Sequence, residues 1–102
     1  RKAAGTQLAA SPAFSLQASL GPGPVTVAQV ARLYPFDNTL RAARITGQQL
    51  RAFLEHSARY WKTWTPGDDA SLLAGVPGYN FDMVVGADYA LDLSRPAGDR
   101  VR

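Results

Sequence analysis

At 102 residues the chain suffices for one domain with a modest core. An apolar share of 46% against 19% charged residues excludes a disordered chain, and the absence of cysteine excludes disulfides and thiolate metal sites while leaving the compartment open. Net charge is +3, but the Lys and Arg residues are dispersed instead of gathered into a stripe, so no nucleic-acid partner is expected. No apolar run approaches the roughly 18 residues of a spanning helix, so no membrane span is expected either. The sequence starts at Arg1 without a Met or a signal-peptide pattern and reads as a piece of a longer, processed or excised polypeptide.

In chain order, residues 1–5 read as frayed. Residues 6–20 carry Phe14, Leu16 and Leu20 at even steps around Pro12, which cannot donate to a ladder. The expectation is two short extended pieces with a bend, and no central strand. Gly21-Pro22-Gly23-Pro24 is a loop. Thr26 with Gln29 forms a capping box, and Val27, Val30, Ala31 and Tyr34 give the helix behind it a short apolar stripe. Pro35 pushes Tyr34 out of the α region and stops that helix. Residues 38–45 then read as a strand. A second capping box, Thr46 with Gln49, opens a longer helix whose expected buried stripe is Leu50, Phe53, Leu54, Ser57 and Trp61. Arg51, Glu55 and Arg59, four apart, read as a solvated charge ladder on its other side, worth roughly 0.2–0.5 kcal/mol per pair.

Residues 62–78, with Trp64 following Trp61 and with Pro66-Gly67 and Pro77-Gly78 as turns about Ser71-Leu72-Leu73, suggest an ordered flap over the core. Residues 79–85 and 87–93 read as an antiparallel hairpin around Gly86, since Tyr89, Leu91 and Leu93 alternate with Ala90 and Asp92. After a turn at 94–98, Arg100-Val101-Arg102 opens a further strand. The expected fold class is α+β, with small mixed sheets and two main helices.

Catalytic sets are not found in this pattern. His56 has no second histidine or carboxylate one helical turn away, which leaves helix-cap stacking or a hydrogen bond at the core edge. Asp68-Asp69 reads as a solvated turn, and Asp82, Asp88 and Asp92 do not gather on one face. No Gly-rich phosphate loop, Gly-x-Ser-x-Gly elbow or His-Glu-x-x-His is present. The chain is not self-sufficient as an enzyme. A binding role has more behind it, because Pro35 places Phe36 at a turn tip with Asn38 two residues on. An aromatic face stacks a nucleobase with about 1–3 kcal/mol, and a neighbouring amide can pair with a donor and an acceptor on the base edge. The alternative is that Phe36 packs inward and Asn38 caps its own turn.

Four ordered segments carry a resemblance: Gly-Pro-Val-Thr-Val-Ala-Gln-Val, Leu-Tyr-Pro-Phe-Asp-Asn-Thr-Leu, Ile-Thr-Gly-Gln-Gln-Leu-Arg-Ala-Phe-Leu-Glu-His-Ser-Ala and Tyr-Asn-Phe-Asp-Met-Val-Val-Gly-Ala-Asp-Tyr-Ala-Leu-Asp-Leu. Together they resemble the C-terminal domain of bacterial 5′-nucleotidases, with wording closer to the 2′,3′-cyclic-nucleotide phosphodiesterase branch. The resemblance implies a single substrate-recognition domain over residues 1–102, itself incomplete. It also implies a separate N-terminal metallophosphoesterase domain, absent here, that holds two divalent metals and hydrolyses the phosphate ester. No cofactor is expected in this chain. Its partners would be a nucleotide or nucleoside and that catalytic domain, in an exported protein of the periplasm or cell surface.

By the same resemblance the base-stacking ring of the Pro-Phe-x-Asn motif falls on Phe36 and the base-contacting amide on Asn38. A substrate-holding arginine of the family would fall near Gln17, where this sequence has none, and a second stacking aromatic would follow Arg102. Strands missing at that end would leave a sheet edge open, with weakened stability or pairing to another chain as the expectation. The competing function is a non-catalytic interaction or structural module that retains the fold. A basic nucleic-acid binder, supported only by the net charge, ranks last.

Overall fold

The computed structural model describes residues 2–12, 14–15, 17–68 and 73–102, and Leu16, Asp69, Ser71 and Leu72 lie outside the described residues. The chain forms a 3-10 turn at Lys2–Ala4, strand β1 (Ala9–Pro12), helix α1 (Val27–Leu33), helix α2 (Gly47–Ala58), a 3-10 turn at Gly78–Asn80 and strand β2 (Asp82–Val85). Two helices beside a small sheet make the α+β architecture the sequence leads one to expect.

Both helices start where their capping boxes say. Thr26 Oγ1 accepts from Gln29 N–H at 3.2 Å while Gln29 Oε1 accepts from Thr26 N–H at 2.8 Å, and Thr46 and Gln49 repeat the pattern at 3.2 and 2.8 Å. At the other end of α1, Tyr34 leaves the helix with φ −142° and ψ 90° although its N–H still reaches Val30 O. Pro35 forbids the helical conformation there.

The core is small: Leu54, Val84 and Val101 are buried, with Leu50, Tyr89 and Leu91 packed against them. It forms on α2, whose buried residues are Leu54, Glu55, Ser57 and Ala58. The expected stripe is therefore rotated, leaving Phe53 exposed and turning Glu55 inward. The solvated-ladder reading of Glu55 is wrong. Its carboxylate accepts the N–H of Arg100 at 2.8 and 3.0 Å and that of Val101 at 2.7 Å. Helical spacing placed it correctly on α2 but carried no information about a segment forty-five residues away.

Arg100 answers from the opposite side. It is 1% exposed, and its guanidinium donates to Ala58 O at 2.7 Å, Trp61 O at 2.8 Å, Thr63 Oγ1 at 3.0 Å and Arg95 O at 3.0 Å. Ala58 O is the last carbonyl of α2 and Trp61 O follows three residues on, at an end of the helix where the dipole favours a cation.

The strand pairing departs from the expected hairpin. β2 pairs antiparallel with β1, in the register Ala9↔Val85 to Pro12↔Asp82. Residues 87–93 instead meet the chain's last residues: Ala90 N–H and Arg102 N–H exchange bonds with each other's carbonyls at 3.1 and 2.9 Å, and Asp92 N–H reaches Arg100 O at 2.8 Å. Gly86, at φ +101°, turns the chain out of the sheet, and a single residue is too short for a hairpin loop. Of the two expected strands, 79–85 holds β2 preceded by a 3-10 turn, while 87–93, like residues 100–102, forms no strand and contributes only the isolated bridge Leu91↔Val101. Pro12 sits at the end of an edge strand, where its missing N–H costs least.

Ser57 fastens α2 to the sheet, its hydroxyl accepting from Asp82 N–H at 2.8 Å and donating to Asp82 O at 3.1 Å. The described part of the flap is tied back by Trp64 N–H to Leu93 O at 2.8 Å and Ala74 N–H to Tyr60 O at 3.0 Å. Beneath it Phe81 stacks on Tyr60 with centroids 5.3 Å apart and meets Trp61 edge-on at 5.5 Å.

No strand forms over residues 38–45. They run exposed, and no backbone hydrogen bond joins them to other described residues. Extended backbone becomes a strand only beside a neighbour that completes its ladder. α1 likewise buries no residue. The result is a compact body plus an outlying arm, with a radius of gyration of 16.1 Å against about 13 Å for a compact chain of this size.

Burial pushes the Glu55 carboxyl upward, but the N–H groups of Val101 and Arg100 and the charge of Arg51 outweigh it, so the group titrates below its ordinary 4.5. A carboxyl depressed on folding contributes stability above its ordinary value and loses it as pH falls through the folded-state value. Urea unfolding at pH values stepped below 4.5 is expected to show stability falling in the native sequence and a flatter acid limb in Glu55→Gln.

Candidate functional site

The turn after α1 gathers three rings. Phe14, beyond the end of β1, meets Tyr34 at 5.1 Å between centroids and Phe36 at 5.0 Å, with interplanar angles of 75° and 62°. Tyr34 and Phe36 face each other edge-on at 6.2 Å and 87°. Edge contacts of this kind hold a ring in place with about 0.5–1.5 kcal/mol each beyond the area they cover. Phe36 nevertheless stays 52% exposed, so the ring is held by its neighbours and open to solvent.

Asn38 does not cap its own turn. Its Nδ2 donates to Tyr34 Oη at 3.0 Å, which leaves Oδ1 and one N–H without a partner among the described residues. Phe36 and Asn38 both adjoin Tyr34, so the structure brings together the two positions named from the sequence, on an open surface.

Two depressions lie elsewhere, and neither is lined by Phe36 or Asn38. One, of about 320 Å³, has an apolar floor of Leu50, Leu54, Tyr89 and Val101 between α2 and the last residues of the chain. The other, of about 270 Å³, is lined by Gln17, Ala18, Ser19, Gln29 and Arg32. An arginine from α1 thus stands at the depression beside Gln17.

His56, Asp68, Asp92 and Asp99 are engaged in local side-chain bonds. Arg59 Nη2 lies 3.0 Å from both ring nitrogens of His56. Asp68 is held below the usual carboxylate range by the N–H and hydroxyl of Thr65, at 2.7 and 2.9 Å. The Ser94 hydroxyl does the same for Asp92, and the Arg95 guanidinium for Asp99. Asp99 also faces Arg102 at 3.5 Å and Arg51 at 3.9 Å. Among the described residues no group of three or more His, Cys, Asp or Glu could hold a metal ion.

Sequence reasoning missed Phe14 and the hydroxyl of Tyr34 as parts of this surface. The even spacing of Phe14 with its neighbours marked it as apolar, but nothing local linked it to a ring twenty-two positions on. Tyr34 was legible as the last member of the α1 stripe, and the proline that expels it from the helix also carries its ring to the turn.

Comparison with known proteins places these features in a family context. The family described as 5′-nucleotidase, C-terminal domain, matches residues 1–102. The chain is 40% identical over 79 residues to the 2′,3′-cyclic-nucleotide 2′-phosphodiesterase/3′-nucleotidase of Haemophilus influenzae, covering 74% of this chain and 12% of that protein. It is 35% identical over 78 residues to the trifunctional nucleotide phosphoesterase protein YfkN of Bacillus subtilis, covering 74% of this chain and 5% of that protein. The fold is similar to that of a Staphylococcus aureus protein described as a 5′-nucleotidase, crystallised with alpha-ketoglutarate. The TM-score is 0.79 at 29% identity, covering 99% of this chain and 20% of that one.

If Phe14 buttresses Phe36, the two rings are energetically coupled. A double-mutant cycle of Phe14→Ala and Phe36→Ala, read by urea unfolding, is expected to return a coupling of about 0.5–1.5 kcal/mol; additive effects would mean that the contact contributes nothing.

Proposed function

This chain belongs to the 5′-nucleotidase C-terminal domain family, and we propose that, within a longer nucleotide phosphohydrolase, it recognises the nucleoside part of the substrate. The observation that carries this reading is the Phe36 ring, 52% exposed and braced edge-on by Phe14 and Tyr34, with the Asn38 amide on the same tyrosine. A nucleobase is flat, polarisable and edged with donors and acceptors. It would lie on the ring and be read by the amide. The names of the relatives, nucleotide phosphoesterase and cyclic-nucleotide phosphodiesterase/nucleotidase, support a nucleotide as the ligand.

Hydrolysis is assigned in this reading to a separate metallophosphoesterase domain of the longer protein, which would hold two divalent metals, in an exported enzyme of the periplasm or cell surface. The matched region spans 12% and 5% of those two relatives, which is consistent with one part of a larger enzyme. Arg32, on the depression beside Gln17, would offer a substrate the positive charge that the sequence lacks at Gln17 itself.

A second reading, a non-catalytic interaction module, draws on the apolar face of α1, where Val27 is 88% exposed and Val30 48%. Nucleotide kinetics separate the two. In the full-length protein, Phe36→Ala is expected to raise KM and lower kcat/KM for nucleotides by roughly 5- to 150-fold, the stacking energy of ~1–3 kcal/mol. Arg32→Gln is expected to raise KM more modestly. Unchanged kinetics in Phe36→Ala would favour the interaction module.

A further inference from the structure

The chain runs from residue 34 to 46 without a turn or a bend, and no residue other than glycine has positive φ, so this stretch is extended. Among the described residues, no main-chain N–H or C=O of residues 38–45 has a hydrogen-bond partner. Leu40 and Ile45 stand 72% and 52% exposed, on opposite faces by the two-residue period of extended backbone. A row of free main-chain groups between exposed apolar side chains is a template for a further strand. The small sheet, by contrast, is blunted. On β2 the alternate N–H groups of Asp82 and Val84 are taken by the Ser57 hydroxyl at 2.8 Å and the Tyr89 hydroxyl at 3.3 Å, and β1 ends on Pro12, which has no N–H. Residues 38–45 carry no proline and no such cap.

We propose that residues 38–45 receive a strand from another part of the longer polypeptide, apolar on both faces and carrying carboxylates. The inference rests on the longer protein of the proposed function and not on the nucleobase reading. The apolar character answers Leu40 and Ile45. The charge answers Arg41 and Arg44, neither of which forms an ion pair among the described residues, and Arg41 Nε donates only to Thr39 Oγ1 at 3.1 Å. No acidic residue of the chain lies between positions 38 and 54. A second copy of the segment would bring two more arginines and no carboxylate, so like charges would crowd that pairing. A strand tethered in the same polypeptide carries no such repulsion and arrives at a high effective concentration. The fold of the whole chain, this stretch included, recurs inside the Staphylococcus aureus protein, of which it makes up 20%. Asn38 opens the segment and Phe36 precedes it by two residues, so the added strand would also fix the turn that carries them.

The experiment is hydrogen exchange of the full-length protein, read by mass spectrometry on peptides covering residues 36–46. The amides of residues 39–45 are expected to exchange roughly 100-fold or more slowly than in a free peptide of the same sequence, and equally so across a dilution series. Exchange at the free-peptide rate overturns the proposal. Protection that fades on dilution assigns the segment to a second copy and overturns it as well. Arg41→Glu combined with Arg44→Glu is expected to speed exchange over residues 39–45 by roughly 2- to 30-fold, the worth of two cross-strand charge pairs, while peptides covering residues 82–85 keep their native rate. Unchanged or slower exchange overturns the acidic strand. Should the double variant fail to fold, Arg44→Gln makes the same comparison, with an expected acceleration of roughly 1.5- to 5-fold. Exchange is read without substrate, so its outcome is separate from the effect of Phe36→Ala on nucleotide kinetics.

Discussion

Two buried charges that never meet hold this structure together. Glu55 spends its carboxylate on the backbone N–H groups of Arg100 and Val101, while the guanidinium of Arg100 is taken up by carbonyls around the end of α2 and by Thr63. An uncompensated ion in a small protein interior costs several kcal/mol, so each must be satisfied for the other to be tolerated. The consequence is geometric. Helix and terminal segment are fixed in register along two sides, and Leu54, Val84 and Val101 are brought together between them. Among the described residues few large apolar groups are buried, and this polar lacing adds directional contacts to a small core.

What could be read from the residues divides along the range of the interactions. The capping boxes of Thr26 and Thr46 are complete within four residues, and both appear as anticipated. The stop at Pro35 is equally local. Glu55, Arg100 and the partner of β2 depend on segments distant in the chain, and periodicity has nothing to say about them. A glutamate four residues from arginines on either side looks like a surface ladder until its acceptor oxygens find two N–H groups elsewhere. Residues 38–45 fail for the complementary reason: their alternation suits a strand, but no described neighbour completes the ladder. At the candidate site, Phe36 and Asn38 were legible because proline acts locally. Phe14 was not, since its contact with them is tertiary.

The candidate site lies away from the fused body. Its rings come from residues flanking β1 and α1, and the tyrosine at its centre is the non-helical C-cap of a helix that buries nothing. Packing energy is concentrated on α2 and the segments it holds, whereas the residues offered to a ligand are fixed by edge-on ring contacts and one side-chain hydrogen bond. That surface is ordered by its own small network and not by the core.

That separation bears on how such a domain can diversify. Because α1 and the turn after it make no contribution to the buried interior, replacing Phe36, Asn38 or Tyr34 leaves the Glu55–Arg100 lacing untouched. A substitution in that turn then forfeits only its own edge-on ring contacts, of about 0.5–1.5 kcal/mol each, and leaves the interior as it was.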